Sequence, residues 1–159
     1  MAEHRAFQYN TFGRQSRAAE AVQITDRLLV IDDDVSICTL IAKLGEKAGF
    51  SPTTAVSLEE ATRLLRAHRF DCITLDLNIG KNSGIQLLRV LADMACGTSI
   101  IIVSGSLPSM RDLAEAIGNM MRLQLEEPVP KPIDFAKLRA AFAGIKEKLV
   151  LQRNAKPAA

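Results

Sequence analysis

The chain has 159 residues, a formal net charge of +2 and 48% hydrophobic residues. This length suits a single domain, and the apolar content argues against a disordered or fibrous protein. A net charge so near zero does not indicate nucleic-acid binding. The longest uncharged stretch, residues 94–110, contains two glycines and a proline. A membrane-spanning helix needs about 20 predominantly apolar residues, so we expect no membrane span.

The N-terminal part of the chain differs in character from the rest. Residues 1–25 are polar, with scattered aromatic residues and no regular spacing, and predict a tail with a short helix near residues 16–22. No continuous apolar segment resembles a secretory signal. The three cysteines are widely spaced and form no C-x-x-C motif: Cys38, Cys72 and Cys96. They indicate reduced, buried thiols in a cytoplasmic protein.

From residue 28, apolar runs of strand length alternate with helical patterns. The first run, residues 28–31, ends at three aspartates, of which Asp34 is placed to cap a helix. Residues 37–44 then repeat apolar side chains with helical spacing, and Gly45 and Gly49 are expected to mark the helix end. Later predicted elements are a strand at 53–56, a helix opened by a capping box of Ser57 and Glu60, a strand at 72–75, a helix at 85–94, a strand at 99–103, a helix at 107–121, a weak strand at 126–129 and a helix at 135–151 capped by Asp134.

Five strands thus alternate with five helices. Each strand is apolar throughout, which predicts an α/β fold with a five-stranded parallel sheet covered by helices on both faces. We expect the folded domain to span residues 26–151, between the N-terminal tail (1–25) and a C-terminal tail (152–159). The eight residues of that second tail are too few for an output domain such as a DNA-binding helix-turn-helix.

Polar residues follow four of the five strands. In an open parallel sheet, ligands bind beyond the carboxyl ends of the strands, so these residues converge on one edge. They are Asp32, Asp33, Asp34, Asp76, Ser104, Gly105 and Lys131. Taken singly, each has an ordinary structural explanation as a turn residue, a helix cap, the start of a solvated loop (77–84), a strand end or a solvated charge.

Together, the carboxylates at this edge indicate a metal site, since like charges destabilise one another unless a cation neutralises them. Carboxylate oxygens suit Mg²⁺, whereas no His or Cys stands at a strand end to bind zinc. One carboxylate could also act as a nucleophile and form an acyl phosphate. Lys131, Ser104 and backbone N–H groups near Gly105 would then neutralise and position the phosphoryl group.

Four motifs in order, LLVIDDD, LDLN-x₅-G, IIVSG and PKP, resemble the receiver domain of two-component response regulators across residues 26–150. The resemblance implies strand order 2-1-3-4-5 and Asp76 as the phosphoacceptor. It implies a Mg²⁺ site formed by Asp32, Asp33, Asp76 and the backbone carbonyl of Asn78. Ser104 stands at the family's switch position, Gly105 offers a backbone contact to phosphate, and Lys131 pairs with the acyl phosphate and precedes a cis peptide to Pro132.

The resemblance also implies partners. A sensor histidine kinase or a histidine phosphotransfer protein would donate the phosphoryl group, and a downstream protein would read the signal by docking. We expect no direct contact with nucleic acid and no enzymatic activity beyond the domain's own phosphorylation and dephosphorylation. Two alternatives stay open: a degenerate receiver that binds partners without phosphorylation, and a Mg²⁺-dependent aspartate-nucleophile phosphatase. The phosphatase needs a second Asp where this chain has Asn78.

Three departures from the family pattern bear on function. Gly80 stands where the family usually has proline, which predicts a more mobile loop. Ser104 and Lys131 are about five residues further apart than in short receivers, a spacing similar to that of receivers beside cyclic-dinucleotide phosphodiesterase domains. Pro128 replaces an aromatic residue that swings on activation. Pro128, Pro130 and Pro132 share one parity, so in a regular edge strand their missing N–H groups would all face outward from the sheet. We therefore expect a stiff sheet edge and a signal that leaves through residues 104–110 and the start of the following helix.

Overall fold

The computed structural model describes residues 25–94, 97–105 and 108–155, so the helix expected near residues 16–22 and Cys96 lie outside the described residues. Strands and helices alternate along the described chain. In order they are β1 (Asp26–Ile31), α1 (Val35–Lys47), β2 (Phe50–Ala55), α2 (Leu58–Ala67), β3 (Cys72–Leu75), β4 (Asn78–Ile79), β5 (Asn82–Ser83), α3 (Ile85–Asp93), β6 (Ser99–Ser104), α4 (Pro108–Met120), β7 (Gln124–Leu125), β8 (Val129–Pro130) and α5 (Phe135–Ala155).

The main sheet is parallel, with strand order β2-β1-β3-β6-β7, and β8 pairs with β6 beyond the end of β7. This arrangement confirms the predicted α/β class and strand order, with β7 and β8 together in the place of the fifth strand. The short strands β4 and β5 form a separate antiparallel pair.

The fifth strand is not the single segment predicted at residues 126–129. Leu125 pairs with Ile100, and Val129 pairs with Val103. Four residue steps on the edge therefore match three on β6, so one extra residue bulges out between β7 and β8. Bulges of this kind are common at sheet edges, where they bend the strand and interrupt its pairing.

The bulge changes which backbone N–H groups face the sheet. The N–H of Glu126 donates to β6, and so does the N–H of Lys131. In a regular strand only every second residue does so, and these two residues are an odd number of positions apart. The expectation that all three prolines present one side of a regular strand is therefore wrong, because Pro128 lies at the bulge. Pro130 does lie outward, opposite to the inward N–H of Lys131, as an edge proline must. The Lys131-Pro132 peptide is cis, which confirms that prediction.

Helix α1 begins where the sequence predicted and ends just before Gly49, whose φ of +87° confirms that glycine as an end signal. The Asp34 carboxylate accepts from the N–H groups of Ser36 and Ile37 (2.8 and 3.3 Å), which confirms it as the N-cap. Gly45 does not end the helix. A Cβ at Gly45 would lie 2.4 Å from a methyl carbon of Leu28, so glycine here lets α1 pack closely on β1.

The predicted caps of α2 and α5 are confirmed. Ser57 Oγ accepts from the N–H of Glu60 (3.1 Å), and the Glu60 carboxylate accepts from the N–H of Val56 (3.0 Å). Asp134 accepts from two N–H groups in the first turn of α5. That helix continues to Ala155, so residues 152–155, expected in the C-terminal tail, belong to it.

The last turns of α5 are held at the amino end of β1. Arg153 and Lys146 both form ion pairs with the carboxylate of Asp26, which is only 1% exposed. Burial acts to raise the pKa of Asp26, but the two cations outweigh it and hold the pKa below its usual value. This cluster explains why the helix extends beyond its last predicted apolar residue.

The central strands β1, β3 and β6 are buried on both faces, as their continuously apolar sequences predict, whereas the edge strand β2 is buried only at its two ends. On the face covered by α2, α3 and α4, the strands contribute Leu29, Ile31, Ile73, Leu75, Ile100 and Ile102. On the face covered by α1 and α5, they contribute Leu28, Val30, Cys72, Ile101 and Val103. Burial of each large aliphatic side chain stabilises the fold by about 1.5–3 kcal/mol.

Cys38 and Cys72 are buried free thiols, as expected from their sequence context. Burial raises the pKa of the Cys38 thiol to about 11, and it raises the pKa of Cys72 as well. Throughout the described ranges, every helix is too short or too polar to cross a bilayer.

Candidate functional site

The predicted site residues meet at the carboxyl edge of the main sheet. Asp32 follows β1, Asp76 follows β3, Ser104 ends β6 and Lys131 follows β8. Parallel strands bring their carboxyl ends to the same edge, so residues far apart in sequence become neighbours. Asp32, Asp76 and Ser104 are nearly inaccessible, with exposures of 1%, 5% and 1%.

Lys131 joins the two buried carboxylates. Its Nζ donates to Asp32 Oδ2 at 2.6 Å and to Asp76 Oδ2 at 2.7 Å. Although burial acts to lower it, the pKa of Lys131 is raised, because these two carboxylates stabilise the ammonium form. Lys131 is therefore a fixed cation at the centre of the site.

Asp32 differs from Lys131 in that its surroundings disfavour its charged form. Burial raises its pKa, and the hydrogen bonds from Lys131 and from the Asp34 N–H (2.9 Å) offset this effect only in part. The nearby charge of Asp76 acts in the same direction as burial. Negative charge at Asp32 is thus held at some cost, which is the situation that a bound cation relieves.

Asp76 is surrounded by hydrogen-bond donors. Its Oδ1 accepts from Ser104 Oγ at 2.9 Å and from the N–H of Asn78 at 3.0 Å, while Oδ2 accepts from Lys131. These bonds fix the orientation of the carboxylate, which lies at the end of a buried strand. Such a group can present one oxygen in line to an incoming electrophile.

The backbone behind Asp76 depends on a glycine in the quoted motif. A Cβ at Gly84 would lie 2.3 Å from the carbonyl oxygen of Asp76, so no other residue fits without a shift. The N–H of Gly84 donates to the carbonyl of Leu77 (2.9 Å). Helix α3 therefore starts directly against the chain that carries Asp76.

Residues 77–84 are not simply the solvated loop that the sequence suggested. Strands β4 and β5 form a hairpin whose two-residue connection is Gly80 and Lys81, and Ile79 is only 2% exposed. Gly80 has a φ of +55°, and a positive φ at the first turn position is typical of type II′ hairpins. A glycine at that position was the sequence signal for this hairpin.

Asp33 is the exposed member of the acidic group. Its Oδ2 accepts from the N–H of Gly80 at 2.9 Å, which connects it to the hairpin. One oxygen each from Asp32, Asp33 and Asp76 lies within 4.8 Å of the others. Lys131 pairs with two of these three carboxylates, so the group keeps a net negative charge, and its hard oxygens fit Mg²⁺.

The remaining predicted residues lie beside this group. Asn78 is exposed in β4, and its contact with Asp76 is made through its backbone N–H. A Cβ at Gly105 would lie 3.6 Å from Lys131 Cβ, an ordinary contact, so this position has room for a small side chain. The structure thus brings all seven predicted site residues together, while their individual roles stay predictions.

Comparison with known protein families assigns most of the chain to one family. The family profile described as the response regulator receiver domain matches residues 28–143, which covers most of the chain. The chain belongs to this family. The prediction that the sequence resembles a receiver domain is therefore confirmed.

Two curated relatives match part of this chain. The cell cycle transcriptional regulator CtrA of Caulobacter vibrioides is 38% identical over 80 residues, 50% of this chain and 35% of the relative. The regulatory protein VirG of Agrobacterium tumefaciens is 33% identical over 121 residues, 72% of this chain and 43% of the relative. The chain spans less than half the length of these curated relatives.

Solved receiver domains have the same fold. A Burkholderia pseudomallei response regulator, crystallised with a phosphorylated aspartic acid, a calcium ion and citrate, is 25% identical with a TM-score of 0.64, and the match covers 84% of this chain and 76% of that one. The receiver domain of a putative Luxo repressor protein from Vibrio parahaemolyticus is 18% identical with a TM-score of 0.72, covering 85% and 100% of the two chains. The second likeness concerns the fold alone.

Proposed function

We propose that this receiver domain accepts a phosphoryl group on Asp76 from a sensor histidine kinase or a histidine phosphotransfer protein. The observation that carries the proposal is the environment of Asp76: a buried strand-end carboxylate held by Lys131, Ser104 and the backbone of Asn78. Asp32, Asp33, Asp76 and the backbone carbonyl of Asn78 would hold Mg²⁺. That ion, when bound, would neutralise charge on the phosphoryl oxygens.

The chemistry assigned to each group follows from its position. An oxygen of Asp76 attacks the phosphorus of a phosphohistidine, so a P–O bond forms as the P–N bond breaks and the donor histidine leaves. Lys131 then pairs with the negatively charged phosphoryl oxygens, and Ser104 donates its hydroxyl to one of them. The backbone N–H of Gly105 is the further donor assigned to phosphate. Hydrolysis of the resulting acyl phosphate is the only other reaction we assign to the domain.

We further propose that the phosphorylated domain signals by docking to a downstream protein in the cytoplasm. The carboxyl edge of the sheet is acidic, which disfavours close approach of a nucleic-acid backbone to this site. The family itself supports a kinase or phosphotransfer protein as the upstream partner. The curated relatives are named as a transcriptional regulator and a regulatory protein.

Phosphorylation is tested by incubating the protein with acetyl phosphate and Mg²⁺ and measuring its intact mass. We expect a gain of about 80 Da, the mass of one phosphoryl group. The Asp76→Asn variant should show no gain. The control is Asp134→Asn, because Asp134 caps α5 outside the site and asparagine caps helices equally well. Labelling of Asp76→Asn would refute the assignment, and no labelling of the wild type would favour a degenerate receiver.

A further inference from the structure

The hairpin next to the acidic group owes its shape to one glycine. Gly80 has a φ of +55°, and its N–H donates to Asp33 Oδ2 at 2.9 Å. A Cβ built on Gly80 would meet no heavy atom within 4 Å. Glycine is therefore not required here for lack of space. It is required because its positive φ, which other residues disfavour, directs the N–H toward Asp33.

Asp33 depends on this bond more than its neighbours depend on any single contact. Asp32 and Asp76 are buried, and each is held by Lys131 and by at least one backbone N–H. Asp33 is exposed, and within the described part of the chain its side chain accepts only from Gly80. Without that bond, the Asp33 carboxylate is free to turn into solvent.

We infer that Gly80 is a positioning residue for the metal site. In the same structure, Asp33 accepts from Gly80 and has an oxygen within 4.8 Å of oxygens from Asp32 and Asp76. The bond is therefore compatible with metal ligation, since a carboxylate has about four lone-pair sites. The inference rests on the proposed Mg²⁺ site and adds to it a residue that makes no contact with the metal.

At this position the chain departs from the pattern that the receiver resemblance implies. The family usually has proline here, and proline has neither an N–H to donate nor access to a positive φ. The bond between Gly80 and Asp33 is thus available to this chain and unavailable to a receiver with proline. It also links the β4–β5 hairpin to the metal site, so that Mg²⁺ binding and the order of the hairpin favour each other.

The test measures Mg²⁺ affinity without any phosphorylation, by titrating the metal-free protein with MgCl₂ and following amide shifts near residues 32–34 and 76–78. We expect Gly80→Pro to bind Mg²⁺ about tenfold more weakly, a loss of about 1.4 kcal/mol, because a hydrogen bond to a charged group is removed. Gly80→Asn is the matched control. Asparagine retains the N–H and tolerates a positive φ, so its affinity should match the wild type.

A double-mutant cycle separates this role from a general effect on the hairpin. In the Asp33→Ala background, Gly80→Pro should cause no further loss of Mg²⁺ affinity, because its only target is gone. If Gly80→Pro unfolds the protein, as thermal unfolding in EDTA would reveal, Gly80→Ala takes its place. It keeps the N–H but disfavours the required φ, so we expect a smaller loss.

Three results would overturn the inference: wild-type affinity in Gly80→Pro, equal losses in Gly80→Asn and Gly80→Pro, or an undiminished loss in the Asp33→Ala background. Failure of the wild type itself to bind Mg²⁺ would instead refute the metal site.

Discussion

Replacing Lys131 tests how far its charge stabilises the two buried carboxylates of the site. Methionine has a similar length and no charge, so Lys131→Met leaves the carboxylates of Asp32 and Asp76 in place but removes the cation between them. Both carboxylates are buried, with exposures of 1% and 5%. We therefore expect the metal-free variant to be less stable than the wild type at neutral pH.

The magnitude follows from the two ion pairs, at 2.6 and 2.7 Å. Removing one partner of a buried ion pair costs about 3–5 kcal/mol. The Lys131 side chain retains 22% exposure, so water screens part of the interaction. Screening favours the lower end of that energy range, so we expect the free energy of unfolding to fall by about 3 kcal/mol at neutral pH.

The loss should depend on pH in a defined direction. Burial raises the pKa of Asp32 already, and without Lys131 that pKa rises further. A carboxylate with a higher pKa when folded than when unfolded gains stability as the pH falls. Urea unfolding in EDTA at about pH 7 and about pH 4.5 should thus show a smaller difference between variant and wild type at the lower pH.

Two results would contradict this reasoning. An equal loss of stability at both pH values would mean that packing of the lysine stem, not charge, was removed. The control is Asp32→Asn combined with Lys131→Met, which removes one of the repelling carboxylates. If the combined variant is no more stable than Lys131→Met alone, the electrostatic explanation is wrong.

Two further predictions concern the interior and the sheet edge. Thr74 is 1% exposed, and its hydroxyl has no hydrogen-bond partner among the described residues. Because Thr74→Val removes this unpaired buried group, it should raise the free energy of unfolding, measured in urea, by about 1 kcal/mol. A decrease would indicate that the hydroxyl has a partner. The bulge is held to α5 by ion pairs from Glu126 and Glu127. Beryllofluoride, a phosphoryl mimic, should therefore shift amide signals in residues 77–84 and 104–118 most, whereas dominant changes at 126–130 would show that the edge does move.

The features predicted well from the sequence are those decided by nearby residues or by the geometry of a parallel sheet. Asp34, Ser57 and Asp134 cap helices through bonds to N–H groups two or three residues away, so local spacing was sufficient. The grouping of Asp32, Asp76 and Ser104 followed from one rule, because parallel strands end at one edge.

The features that were missed depend on distant contacts or on very short elements. Strands β4 and β5 have two residues each, too few for any periodicity, so their hairpin was taken for a loop. Gly45 was interpreted as a helix end because its contact, Leu28 on β1, is 17 positions away. The bulge before Val129 could not be found, since register against β6 is absent from the sequence.

The ion pair between Asp26 and Arg153 has a consequence for how this domain is connected to anything else. It joins the first strand to the last turn of α5, so the chain enters and leaves the fold at almost the same place. That place is the amino edge of the sheet, at the far side from Asp76. A segment that enters the fold at residue 26 or leaves it at residue 155 therefore does so on the side away from Asp76, the proposed phosphoacceptor, and leaves the approach of a donor protein to that side chain open.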